Sequence, residues 1–240
     1  MKSLKKSVRA FGRLFGIDIT SYHKRFDEHY LEGRHLKHLD IRTVIDVGAN
    51  AGQFVREHIL ATKTVHHIHS FEPLPDTYKD LQKIAASRVG WETYCVALSD
   101  CQGKCAFHVS ENYTSSSLLK VTSASTSVVA ASRVVRDIEV AISRLDALWE
   151  DLEIEFNVLL KIDVQGNELN VLRGAEKMLN QVKAIRIEMS TIELYDGQPA
   201  YEEILSYLNR LGFRLFAIDS RWSDTNTGQT LQFDGVYVRC

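Results

Sequence analysis

The chain has 240 residues, enough for one sizeable α/β domain with its own core, and its 45% apolar and 25% charged residues are those of an ordinary soluble protein. A formal charge of −2 offers no field for nucleic-acid binding, and no apolar run approaches the length of a membrane span. Lys5, Lys6, Arg9 and Arg13 interrupt the place where a secretory apolar region would lie, so a cytoplasmic location is expected.

In chain order, Leu4, Val8, Phe11, Leu14 and Phe15 form one helical stripe among basic residues. Such a helix either packs on the domain or touches an anionic membrane surface. A second helical pattern over residues 23–39 completes a helical extension of about forty residues, ahead of a main domain over 41–240. Thr43–Val47 is then a short β-branched run that ends in small residues, and a helical pattern starts at Phe54 and continues to about Leu60. Strand, tight turn and helix make a ligand cradle, because glycine accepts positive φ and lets a ligand approach the backbone. The turn carries Gly48, Ala49, Asn50 and Gly52, without the third glycine of a dinucleotide site. Asp46 before it and Glu72 at the end of the next β-like run (Val65–Phe71) are poor neighbours for a pyrophosphate. They suit the ammonium and ribose of S-adenosylmethionine, so the sulfonium cofactor is expected; an NAD(P)-dependent oxidoreductase is the enzymatic rival, and a non-catalytic cofactor-binding or partner-binding domain is the other alternative.

Pro73 and Pro75 mark a loop and a helix start, Trp91–Leu98 reads as a third strand, and alternating strands and helices imply parallel β-α-β units. Between Asp100 and Asp146 the alternation fails. Two strand-like runs, Cys105–Val109 and Val134–Ile142, flank a Ser/Thr-rich segment, Thr114–Ser132, expected to be either a solvated loop or a lid. Val158–Ile162 is a buried strand that carries Lys161 and ends at Asp163, and Leu169 to Met178 continue as a helix. Glu188 follows a fifth strand, Ile185–Ile187; the helix Tyr201–Leu211 and the strands Phe213–Ile218 and Leu231–Val238 complete the chain. Asp46, Glu72, Asp163 and Glu188 thus stand at carboxyl ends of strands, where open parallel sheets bind ligands. Lys161, a charge inside an apolar strand, requires a partner or a substrate.

Cys95, Cys101, Cys105 and Cys240 form no C-x-x-C pair and are expected to be reduced bystanders. His67 and His69 share one strand face and His66 the other, so the cluster does not act as three ligands, and no metal is expected.

The motifs Asp46-Val-Gly-Ala-Asn-Ala-Gly, Phe71-Glu72-Pro73, Leu160-Lys-Ile-Asp163-Val-Gln-Gly166-Asn-Glu168, Val171-Leu-Arg-Gly174-Ala and Ile187-Glu188-Met-Ser, in this order, resemble the FkbM family of S-adenosylmethionine-dependent methyltransferases. The resemblance runs from about Thr43 to the C-terminus. It implies a Rossmann-like α/β fold with a seven-stranded, mostly parallel sheet, an antiparallel last strand and helices on both faces. It places the cofactor against Asp46, Gly48, Ala49, Asn50, Gly52, Phe54, Glu72 and Pro73, with adenine near Val96, Ala97 and Leu98, and it matches a small serine-bearing segment to Ser115, Ser116 and Ser117. The reaction implied is O-methylation of a small-molecule or glycan hydroxyl, on a sugar or a natural product. Direct displacement needs alignment and a base. Asp163 is the first candidate and Glu188 the second, Asp163 being alternatively a clamp for the cofactor's ammonium; Lys161 either binds substrate or pairs with a carboxylate.

Overall fold

A computed structural model describes residues 28–60, 62–224 and 226–239. The basic stripe at residues 2–15 lies outside the described residues, and the second helix is described from Glu28: α1 spans Glu28–His38. Among the described residues no helix is long and apolar enough to cross a membrane.

Seven strands form one sheet: β1 (Thr43–Val47), β2 (His67–Phe71), β3 (Trp91–Tyr94), β7 (Val158–Ile162), β8 (Val182–Ser190), β9 (Phe213–Ser223) and β10 (Thr230–Arg239). Their order is β3-β2-β1-β7-β8-β10-β9. The first five are mutually parallel and β10 runs antiparallel to both β8 and β9. The fold is therefore that of a class I methyltransferase, with the last strand reversed. Parallel strands are covered on both faces and so read as continuous apolar runs; β1 and β7 are buried at every position.

One face of the sheet, with Ile45, Leu160 and Ile185, packs on α5 (Glu168–Gly174) and α6 (Tyr201–Arg210) through Leu172 and Leu208. The opposite face, with Val44, Leu159 and Ala184, packs on α1, on the segment after the β1 turn and on α2 (Pro75–Ala85) through Leu36, Val55 and Leu81. Each fully buried aliphatic side chain contributes about 2 kcal/mol.

The structure departs from the sequence reading in four places. Trp91–Leu98 is two strands, because the chain leaves the main sheet after Tyr94. β4 (Ala97–Leu98) instead pairs in parallel with β6 (Val134–Ser143), which pairs antiparallel with β5 (Gly103–Ser110) in a second sheet of order β4-β6-β5. The segment after the glycine turn contains one π-helical turn, Val55–Ile59, with Phe54, Val55 and Ile59 all buried. The Ser/Thr-rich stretch is built rather than irregular: it contains α3 (Ser123–Val128), capped by Thr122, whose hydroxyl accepts from the Ser125 N–H. Its hydroxyls satisfy backbone and one another, as where Ser127 Oγ donates to Ala124 O at 2.7 Å and Ser125 Oγ to Ser132 Oγ at 3.1 Å. Periodicity carries no trace of such bonds. The predicted helix from Leu169 also stops early: α5 ends at Gly174 and a 3₁₀ turn covers Met178–Gln181.

Candidate active site

A cavity of about 750 Å³ opens at the carboxyl ends of β1, β2, β7 and β8, with the small sheet as one wall. Its floor is the turn after β1. Gly48 and Ala49 N–H donate to Phe71 O at 3.1 and 3.0 Å, and Gly48 and Asn50 take φ of 73° and 48°. A Cβ on Gly48 would lie 1.8 Å from the Asp163 carbonyl oxygen, so only glycine lets the β1 and β7 ends meet. Gly52 plays a packing role instead: it abuts Leu81 and Trp91 and lines no part of the cavity.

Glu72 is buried in the wall. Its Oε2 accepts the Asn50 N–H at 2.9 Å and its Oε1 the Leu74 N–H at 2.8 Å, which ties the glycine turn to the start of α2. Burial, opposed by those two bonds, pushes its pKa up to about 7. Pro73, Val96, Ala97, Leu98 and Phe71 line the same side, so the residues expected to face ribose and adenine share one surface.

Registry across the sheet assembles a polar row that the linear sequence does not display: Ser70, Asp46, Lys161 and Arg186 are successive partners on β2, β1, β7 and β8. Asp46 is fully buried beneath the floor and does not line the cavity, so the structure moves it from ligand contact to support. Its Oδ1 lies 3.2 Å from Lys161 Nζ, an ion pair rather than an aligned hydrogen bond, and Ser70 Oγ is 3.4 Å from Oδ2. Lys161 Nζ donates to Gly48 O at 2.9 Å and Val47 O at 3.4 Å, and reaches Asp163 Oδ2 at 3.7 Å. Burial opposes the lysine's charge, but Asp46 and Asp163 outweigh it and push its pKa up to about 12. Burial raises Asp46, with Lys161 pulling it back. Lys161 thus stays a cation and locks the turn. Phe54 covers it, with its ring centroid 5.8 Å from Lys161 Nζ and 5.7 Å from the Arg186 guanidinium.

A glutamine amide joins two carboxyl groups on the cavity wall. Gln165 Nε2 lies 2.8 Å from both Asp163 Oδ1 and Glu188 Oε2, and Gln232 Nε2 is 2.9 Å from the same Glu188 oxygen. Glu188 is not strand-terminal, since β8 continues to Ser190, yet its carboxylate reaches the cavity. Burial, then Asp163, Asp234 and Glu168, raise it well above the usual carboxylate range. Arg186 pairs with Asp234 of β10 at 2.9 Å. Arg186, Asp234, Gln165, Gln232 and Trp222 all line the cavity, and none was singled out from sequence. Arg186 and Asp234 carried the signal that exposed Lys161, a charge within an apolar strand. Glu168 lies outside the cavity, where it accepts the Val164 and Gly166 N–H groups and holds their loop. Among the described residues no group of three His, Cys, Asp or Glu side chains is placed to hold a metal ion. His69 is buried against Tyr94 and the Glu153 carbonyl, away from the cavity.

Residues 46–215 match the family model described as "Methyltransferase FkbM domain". The 2-O-methyltransferase NoeI of Sinorhizobium fredii (strain NBRC 101917 / NGR234) is 28% identical over 171 residues, 69% of this chain and 70% of that one. Among solved structures, methyltransferase FkbM from Methylobacillus flagellatus KT superposes with a TM-score of 0.50 at 15% identity, over 83% of this chain and 44% of that chain. The chain therefore spans less than half the length of that structure. An rRNA methylase from Streptococcus thermophilus aligns at 9% identity with a TM-score of 0.49, over 92% of this chain and 99% of that one.

Proposed function

The chain belongs to the FkbM family of methyltransferases, and we propose that it uses S-adenosylmethionine to methylate a hydroxyl of a sugar or glycan. The observation that carries this reading is the Asp163–Glu188 pair, which faces the same cavity as the glycine turn and Glu72. The residues present fit the cofactor: a floor of backbone at Gly48, Ala49 and Asn50, a carboxylate at Glu72 for the ribose diol and an apolar slot at Val96, Ala97 and Leu98 for the adenine. Lys161 and Arg186 are both engaged with carboxylates, which disfavours a pyrophosphate and hence a nicotinamide cofactor. When bound, S-adenosylmethionine supplies a methyl group on a positive sulfur, which leaves as a neutral thioether.

The chain's own residues do the rest. The ionised member of the carboxylate pair would take the proton of the acceptor hydroxyl, leaving its oxygen as the nucleophile toward the methyl group the cofactor would supply. Asp46 contributes through Lys161, which keeps the turn in place. Gln53, Gln232, the Arg186–Asp234 pair and the face of Trp222 offer the alternating donors, acceptors and flat apolar surface that a sugar ring requires. The 2-O-methyltransferase relative supports an oxygen acceptor. A hydroxylated natural product is the second reading, favoured by the apolar Phe107, Leu118 and Val129 on the small-sheet wall.

Transfer of labelled methyl from S-adenosylmethionine to a panel of methyl glycosides, phenols and amines tests the proposal. Label on a glycoside oxygen is expected; label on an amine only, or no saturable cofactor binding in calorimetry, overturns it.

The Glu72 pKa of about 7 adds a pH signature. Above that value Glu72 is anionic and accepts the ribose hydroxyls; below it the carboxyl is protonated and loses acceptor strength. Cofactor affinity measured by calorimetry is expected to fall up to about tenfold per pH unit below 7, and Glu72→Gln should flatten the profile.

A further inference from the structure

Gln165 is held by more constraints than a cavity-lining side chain needs. Its backbone takes a φ of 58°, left-handed and costly for a residue with a side chain. Its carbonyl accepts from Ser117 Oγ of the small-sheet wall at 2.7 Å. The orientation of its amide follows from its neighbours. Two carboxylate oxygens only accept, so Nε2 faces both, and Oε1 accepts from the Tyr195 hydroxyl at 2.7 Å. Tyr195 is buried, and its hydroxyl also reaches Ser115 O at 3.2 Å on the cavity wall.

We propose that Gln165 is a positioning residue that holds the Asp163 and Glu188 carboxyl groups together through one amide, and that Tyr195 fixes the direction of that amide. The inference rests on the O-methyl transfer reading. Glu188 meets Asp163 from the β7–α5 loop, Glu168 from the start of α5, Asp234 and Gln232 from β10, Lys161 from β7 and Tyr195 from the segment after β8; Arg186 precedes it on its own strand. Within this acidic surround, the two amide protons hold one oxygen of each carboxyl group at hydrogen-bond distance. Without them, the charged form of Glu188 loses a donor and the group holds its proton to higher pH.

Gln165→Glu keeps the shape, removes both donors and adds a third carboxyl. Side-chain carboxyl ¹³C titration of the full chain, with the Glu188 signal assigned from Glu188→Gln, reads the consequence directly. The Glu188 midpoint should rise by about one pH unit or more in Gln165→Glu, and by a smaller amount in Tyr195→Phe, which leaves Oε1 without its donor. With a methyl glycoside acceptor, the acid limb of kcat should move up by the same amount while KM for the cofactor stays within about threefold, since the base must be ionised to take the proton. A merely structural role would lower kcat equally at every pH. An unmoved Glu188 titration in both variants overturns the proposal, and Tyr195→Phe decides alone if Gln165→Glu does not fold. If the titration shifts as stated but no acceptor is methylated, the methyl-transfer reading fails and the pairing stands.

Discussion

Glu188→Gln is expected to lower kcat by about 10²- to 10⁴-fold, the contribution of a positioned base, equivalent to roughly 3–5.5 kcal/mol of transition-state stabilisation. The substitution changes charge and little else. A glutamine at 188 still presents an oxygen to Gln165 and Gln232, whose amides lie 2.8 and 2.9 Å from the present carboxylate. Cofactor affinity should therefore stay near wild type. Stability should rise, and the sign follows from linkage. The folded-state pKa of Glu188 is raised above its ordinary 4.5, so its ionised form is penalised in the native state. That group favours folding below pH 4.5, and the contribution is lost as pH rises through the folded value. Neutral glutamine removes the penalty, and thermal unfolding at pH 8 should show a Tm equal to or above wild type. A residue that is costly to the fold and needed for turnover is characteristic of an active site. Retained turnover would exclude Glu188 as the base. Asp163→Asn completes the comparison: lost turnover with intact cofactor affinity makes Asp163 a partner in proton transfer, whereas lost affinity makes it the ammonium clamp.

Lys161→Met should destabilise the protein by about 3–5 kcal/mol, the typical result of removing one partner from a buried ion pair. Asp46 is fully buried, with Lys161 Nζ 3.2 Å from Oδ1 and Ser70 3.4 Å from Oδ2. Without the lysine its charge is uncompensated, and Val47 O and Gly48 O lose a donor. Chemical denaturation measures the loss directly. The double variant Asp46→Asn, Lys161→Met should recover most of the stability, because neither charge then remains to be buried. It should not recover cofactor binding, since the turn would lack its lock. A double variant no more stable than Lys161→Met would contradict the pairing as the cause.

Much of the fold was legible in the chain because parallel strands advertise themselves locally. Thr43–Val47 and Val158–Ile162 are short apolar runs whose ends carry glycine and acid, and buried strands require that composition wherever they sit in the sheet. The small residues at 48–52 and the acids at 72 and 163 announced a ligand cradle for the same local reason: backbone conformation and charge are properties of single residues. The helix that starts at Pro75 was equally visible from its prolines, although which side chains it buries, Thr77, Leu81 and Ala85, was set by the packing.

Registry and long-range pairing belong to the tertiary structure alone. The row Ser70, Asp46, Lys161, Arg186 joins residues up to 140 positions apart, and it exists only because β2, β1, β7 and β8 are neighbours in one register. That row is why Asp46 supports the floor rather than lining the cavity. The split of Trp91–Leu98 was hidden likewise, since Ala97 and Leu98 extend because Ile142 and Ser143 pair with them, whatever their own propensity. Gln165 shows the division most clearly. By itself it is a polar residue in a loop; its meaning comes from Asp163, Glu188 and Tyr195, which converge on one amide because a hydrogen bond requires about 3 Å in space and imposes no separation in sequence.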